Sequence, residues 1–250
     1  MNTVGLTFSQ VRYVNKTFWR NPALAFFIFA FPLMFLVIFT ALLGNGTVHL
    51  GAHTVKESSY YVAAMATFGV VTACFNNIAI GMTFQRQTGI LKRINGSPLP
   101  SGAFLLARII HALAIAVVLV AVTAAFGRAA YSVSLPTGTT LVEFLVMLAV
   151  GAASFCALGL ALTAVIPNAD AAAAAVNAVI LPLLFLSGIF IAFDNTTPTW
   201  ILWTARVFPI RHFATAMQAG FLGTPFHWSD VAVVAAWGIA GLALATRFFT

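Results

Sequence analysis

The side chains able to do chemistry in this 250-residue sequence fall into two groups. One is a basic interruption between long apolar runs, FQRQTGILKRINGSPLP at 84–100, which carries Arg86, Lys92 and Arg93. The other is a set of polar groups inside the apolar runs: Asn76, Asn77, Asn177, Arg108 and His111. Neither group reads as covalent catalysis. No His-Glu-x-x-His pattern and no paired Asp stand within an apolar run, and only Glu143 and Asp170 come near one, both at helix starts. A Gly-x-x-x-x-Gly-Lys-Ser/Thr phosphate loop is also absent, since Lys16, Lys56 and Lys92 all lack that context. What remains is docking by the basic stretch, and hydrogen bonding or charge inside the apolar runs.

The basic stretch cannot lie in hydrocarbon, where each Lys or Arg at mid-membrane costs roughly 2.5–3.5 kcal/mol on insertion scales. Its clustered cations place it on the cytoplasmic side. Ile90, Leu91 and Ile94 fall close together on one helical face with Lys92 and Arg93 beside them, and Gly96 with Ser97-Pro98 stops the helix. A short amphipathic helix there is suited to docking onto something in the cytosol. The intramembrane amides read either as glue between helices or as the lining of a path, each needing a partner in lipid. Arg108 and His111 are one turn apart, and Arg108 is near enough to the cytoplasmic end to snorkel.

Stepping outward, composition dictates what must position these groups. Charged residues make up 7% and hydrophobic ones 61%, with mean hydropathy +1.00, against about 25% charged in a soluble domain. Several apolar runs reach transmembrane length. The expected fold is therefore an all-α polytopic membrane protein in one transmembrane domain, 1–250, with six membrane-spanning helices. The net charge of +7 then belongs to loops facing anionic lipid and a cytosolic partner, not to a nucleic-acid interface. Cys74 and Cys156 sit in apolar runs as small core residues, with neither a disulfide nor a metal site expected. No cleavable signal peptide is expected.

In chain order, 4–20 reads as an amphipathic interface helix, with Val4, Phe8, Val11, Val14 and Phe18 opposite Arg12, Asn15, Lys16 and Arg20. Spans are expected at about 22–43, 59–83, 101–126, 141–166, 169–193 and 229–248. The loop at 44–58 is polar and Gly-rich, and Thr140 with Glu143 forms a capping-box pattern before the fourth span. Gly151, Ser154, Ala157 and Gly159 give that span a small-residue packing face. Residues 194–228, rich in Trp and Pro, read as an external re-entrant pair of short helices, about 198–206 and 209–221. With the N-terminus inside, the inner side holds eight cations (Arg12, Lys16, Arg20, Arg86, Lys92, Arg93, Arg108, Arg247) and the outer side four (Lys56, Arg128, Arg206, Arg211). Both termini are therefore expected in the cytoplasm.

At this level the chain resembles the membrane-spanning permease subunit of type-2 ABC exporters, most of all the daunorubicin-resistance type. The family's loop after the second span runs approximately Arg-Glu-x-Gly-Thr-Leu-Glu-Arg-Leu and then Thr-Pro-Leu. Arg86, Gly89, Leu91, Arg93, Pro98 and Leu99 stand at those positions, while Gln87, Ile90, Lys92 and Ser97 depart from them. The interface helix before the first span, ILPLLFLSGIF, Pro198, Pro209 and Gln218-Ala-Gly also fit. The resemblance implies that 84–100 is a coupling loop, with Arg86, Gln87, Gly89, Ile90, Leu91, Arg93, Ile94, Pro98 and Leu99 contacting an ABC-type ATPase. It further implies two copies of that ATPase, with ATP and Mg bound there and not on this chain. It implies a second permease, as a homodimer or a paired subunit, and a multi-pass place in a bacterial inner membrane.

The expected function is ATP-driven efflux of a hydrophobic or amphipathic compound such as a drug, antibiotic or lipid, the chain itself not being an enzyme. Asn76, Asn77, Asn177, Arg108 and His111 are the candidate path residues. Export of a lipid-linked polysaccharide or other glycan is the alternative. A secondary transporter is disfavoured because no acidic residue is buried in a span, and a membrane-embedded enzyme because no catalytic constellation is present.

Overall fold

The computed structural model describes residues 3–43, 46–50, 53–96, 99–193 and 197–249. Helix α1 (Thr3–Trp19) leads into α2 (Pro22–Leu43). The break between them has a local cause: Asn21 Oδ1 accepts the Leu24 N–H at 3.2 Å, and Pro22 occupies the first turn, where its missing N–H loses no bond. Strands β1 (Thr47–Leu50) and β2 (His53–Lys56) then pair antiparallel, Val48 opposite Val55. The sequence reading treated this stretch as loop. The period-2 signal is there, Thr-Val-His-Leu and His-Thr-Val-Lys on either side of Gly51-Ala52.

Helix α3 (Glu57–Val71) continues through a π turn (Thr72–Asn76) into α4 (Asn77–Gln87), so Glu57–Gln87 forms one 31-residue run. Nearly all of α3 is buried, as expected of a helix that is apolar all round. It sits at the centre, packed by α2, α6 (Ser101–Tyr131), α7 (Gly138–Leu162) and α10 (Pro209–Leu222). The π turn bulges where α7 comes closest. A Cβ on Gly159 would lie 2.7 Å from the Phe75 carbonyl oxygen, so only glycine permits the approach. Further along α7, Ser154 and Ala157 meet Gly238 and Gly241 of α11 (Trp228–Phe249). The small-residue face thus packs helices at near-contact distance.

Among the described residues, five helices are long and apolar enough to cross a membrane: α2, the α3–α4 run, α6, α7 and α11. Helix α8 (Ala169–Phe185) is a shorter apolar helix of 17 residues, and its length of about 25 Å falls short of a ~30 Å hydrocarbon core. The fold is an all-α polytopic membrane protein with a small β-hairpin among the described residues. The stretch read as a fifth span to 193 ends its helix eight residues early. Pro182 removes a backbone donor inside α8, and Gly188 (φ 80°) then turns the chain so that its carbonyl accepts the buried Tyr60 hydroxyl.

Three other expectations shift. Helix α6 runs on to Tyr131, which places Arg128 in a helix and not in a loop. Helix α7 begins at Gly138 with Thr137 at its cap, so Thr140 and Glu143 do not form the expected capping box. Helices α9 (Thr199–Val207) and α10 fill the region read as a surface pair, but only α9 is peripheral, with Trp200 and Trp203 well exposed. Helix α10 belongs to the core: Ile210, Phe213, Ala214, Met217 and Phe221 are all buried against α3, α7 and α11. In α1 the inward face is Thr7, Val11, Val14 and Phe18, while Val4 and Phe8 are exposed with Arg12, Lys16 and Arg20.

Candidate functional site

Helix α4 ends at Gln87, and Gly89 (φ 73°) turns the chain sharply into the short helix α5 (Ile90–Asn95). At this corner the two polar side chains do not reach outward. The Arg86 guanidinium donates to the Thr163 carbonyl at 2.7 Å and to the carbonyls of Ile166 and Pro167, the last at 3.4 Å. Those carbonyls follow the C-terminal end of α7, where orphan acceptors and the negative dipole end favour a cation. Gln87 Oε1 accepts the Ala169 N–H, and Asn168 Oδ1 accepts the Ala171 N–H at 2.8 Å, capping α8. The α4–α5 corner and the α7–α8 corner are thus pinned together by side chain–backbone bonds.

Helix α5 presents two faces. Leu91, Ile94 and the following Leu99 pack against the main apolar core, whereas Lys92 and Arg93 are exposed and Ile90 is 37% exposed. The family resemblance gave Ile90, Leu91 and Ile94, together with Arg86 and Arg93, to contact with a partner. In the folded chain most of the apolar face is already used internally, and the outward surface is Ile90, Lys92 and Arg93. Pro98 lies outside the described residues.

Beside this corner a cavity of about 560 Å³ opens between α1, α4, α5 and the start of α6. Asn77, Arg108 and His111 all line it, together with Tyr13, Gln85 and Phe104. Arg108 lies over the Phe104 ring at 4.7 Å, and His111 packs edge-on against Phe18 at 5.3 Å. The structure therefore gathers three of the five candidate path residues. Asn76 does not line this cavity, and its Oδ1 is buried without a hydrogen-bond partner. Asn177 is exposed on α8 and does not line this cavity. Gln85 escaped the sequence reading because a glutamine in a basic loop carries no signal of inward orientation.

At the opposite end of the bundle a second cavity, about 260 Å³, is lined by His53 of β2, Tyr60, Arg211, Thr215 and Gln218. Arg211 donates to the Ser187 carbonyl at 3.4 Å and lies 4.4 Å from the Phe193 ring centre. Close by, His212 meets the Asp230 carboxylate at 2.6 Å and the Arg206 carbonyl at 2.9 Å, joining α9, α10 and α11. Arg206 and Arg211 read only as outer cations and Gln218 only as part of a family-like triplet, because most of the partners of these groups are remote along the chain. Cys74 and Cys156 are free buried thiols.

A multi-pass bundle of long apolar helices with a short amphipathic helix on one corner defines the class of protein as a polytopic helical membrane protein. The sequence model of the ABC-2 type transporter family matches residues 6–222, from α1 to the end of α10. The chain belongs to that family, as a membrane permease. Comparison with curated protein sequences gives no match.

Proposed function

We propose that this chain is the permease of an exporter powered by a separate ATPase, and that it carries a hydrophobic or amphipathic compound outward. The observation that supports this best is the pinned corner: α5 offers Ile90, Lys92 and Arg93 outward, while Arg86 and Gln87 fasten its base to the α7–α8 junction. A push on α5 by a partner then moves α7 and α8 together, because packed helices joined by charge-assisted bonds shift as units. ATP and Mg would sit on the ATPase, two copies of which would serve two permeases.

The α5 end is the cytoplasmic side in this reading. Helix α1 borders α5 across the large cavity, and Leu244 near the end of α11 shares an apolar groove with Val165. Helix α1 and the last turns of α11 on the α5 side support an even number of crossings, with α8 counted as a short sixth. A bacterial inner membrane is the expected setting. The mainly apolar spans favour an oily or amphipathic cargo over a glycan, which needs many polar partners. The test is co-expression with a candidate ABC-type ATPase subunit: where the unsubstituted permease co-purifies with it, the double variant Lys92→Glu, Arg93→Glu is expected to lose the ATPase, and undiminished co-purification with coupled transport overturns the docking assignment.

A further inference from the structure

Three residues that line the 560 Å³ cavity each carry a buried polar atom without a hydrogen-bond partner: Gln85 Oε1, Arg108 Nε and His111 Nε2. Such atoms are rare in folded chains because each forfeits a bond it would make in water. His111 is only 4% exposed, so its free nitrogen has no solvent substitute. Among the described residues no acidic side chain lines the cavity, and the only ion pair is His212–Asp230, at the other end of the bundle. Arg108, within the first turns of α6, is therefore a largely enclosed cation with no counter-charge among the described residues, an arrangement that favours an incoming anion.

From this geometry we infer that the cavity between α1, α4 and α6 binds the phosphate headgroup of an anionic amphiphile. Arg108 and His111 donate to the phosphate oxygens, and the Gln85 amide does so as well once its oxygen and nitrogen are exchanged by a half-turn. The rest of the lining suits an acyl chain: Leu24, Ile78, Phe84 and Leu99 continue the cavity as an apolar wall. Its volume of about 560 Å³ falls within the roughly 300–1,000 Å³ of typical ligand sites. On the outer side of the same wall, α1 exposes Arg12, Lys16 and Arg20, which raise the local concentration of anionic lipid. The inference goes beyond the transport reading and does not depend on it, since binding needs no ATPase.

The experiment uses the full permease purified in detergent, with retained lipid read by native mass spectrometry and added lipid read by thermal shift. Phosphatidylglycerol is expected to be retained and to raise the melting temperature, and phosphatidylcholine is expected to do neither. Arg108→Gln should weaken phosphatidylglycerol binding about tenfold or more, and Arg108→Lys should keep most of it. His111→Phe retains a ring against Phe18 while removing the donor, and it should weaken binding severalfold even if Arg108→Gln does not fold. Inorganic phosphate alone is expected to give no shift, because the apolar wall contributes to affinity. An equal shift from phosphate overturns the amphiphile assignment. Equal retention of the two lipids, or unchanged binding in folded Arg108→Gln or His111→Phe, overturns the site itself.

Discussion

Arg86, on the last turn of α4, donates to the carbonyl of Thr163 just past the end of α7, at 2.7 Å. This one contact, across 77 residues of sequence, converts a basic loop residue into a clamp between two membrane helices. A guanidinium can serve several carbonyls at once through its planar fork. Here it serves those of Thr163, Ile166 and Pro167.

Arg86→Ala should therefore lower the stability of the permease by about 1.5–3 kcal/mol, the usual loss for a hydrogen bond to a charged group. Arg86→Lys should recover only part of that, since an ammonium lacks the fork. Thermal unfolding in detergent measures both. In the assembled transporter, Arg86→Ala should hydrolyse ATP with less transport per ATP, since the α5 motion no longer reaches α7 and α8.

Leu91→Asp separates the sequence-based view of α5 from the structural one. Leu91 packs against the chain's own core, so the substitution buries a carboxylate inside the permease. We expect a lower melting temperature in the isolated permease, by an amount matching about 2 kcal/mol or more. If the isolated permease melts normally and only ATPase binding is lost, the apolar face belongs to the partner instead.

Gly159→Ala should be costly for a helix substitution that normally helps. The added Cβ would stand 2.7 Å from the Phe75 carbonyl oxygen, which forces α7 away from the π turn at about 1–3 kcal/mol. Gly102→Ala, with open space around its Cβ, should be neutral or slightly stabilising. Paired unfolding curves of the two variants make the comparison.

His212 ties α10 to Asp230 of α11 and to the Arg206 carbonyl of α9. His212→Ala should loosen α9, and the loss should be about 1–3 kcal/mol because Asp230 keeps no other ion-pair partner among the described residues. Hydrogen–deuterium exchange over 199–207 is expected to rise most.

Much of the helical framework was legible because hydrophobic length and proline placement are local signals. Helix α2 covers Pro22–Leu43, the stretch read as a first span, and Pro22 and Asn21 announce its start. The three cavity residues Asn77, Arg108 and His111 were legible as polar groups inside apolar runs. What the sequence could not show depends on remote partners. Arg86 and Gln87 read as loop cations and amides, yet their acceptors and donors lie at 163–169. The early end of α8 depends on Tyr60 meeting Gly188, and the inward face of α5 depends on which helices stand behind it. Helix α10 read as part of an external re-entrant pair because the Trp and Pro of 194–228 suggested an interface, while Phe213 and Met217 fill the centre.

The most direct measurement uses a single introduced thiol. Because Cys74 and Cys156 are both buried, Lys92→Cys gives a selectively reactive site on α5 for a photoreactive maleimide in membranes holding both subunits. The account predicts a cross-link to the ATPase from residue 92, none from Thr54→Cys on β2, and loss of the cross-linked band when ATPase expression is omitted. An ATPase cross-link from residue 54, with none from residue 92, would contradict it.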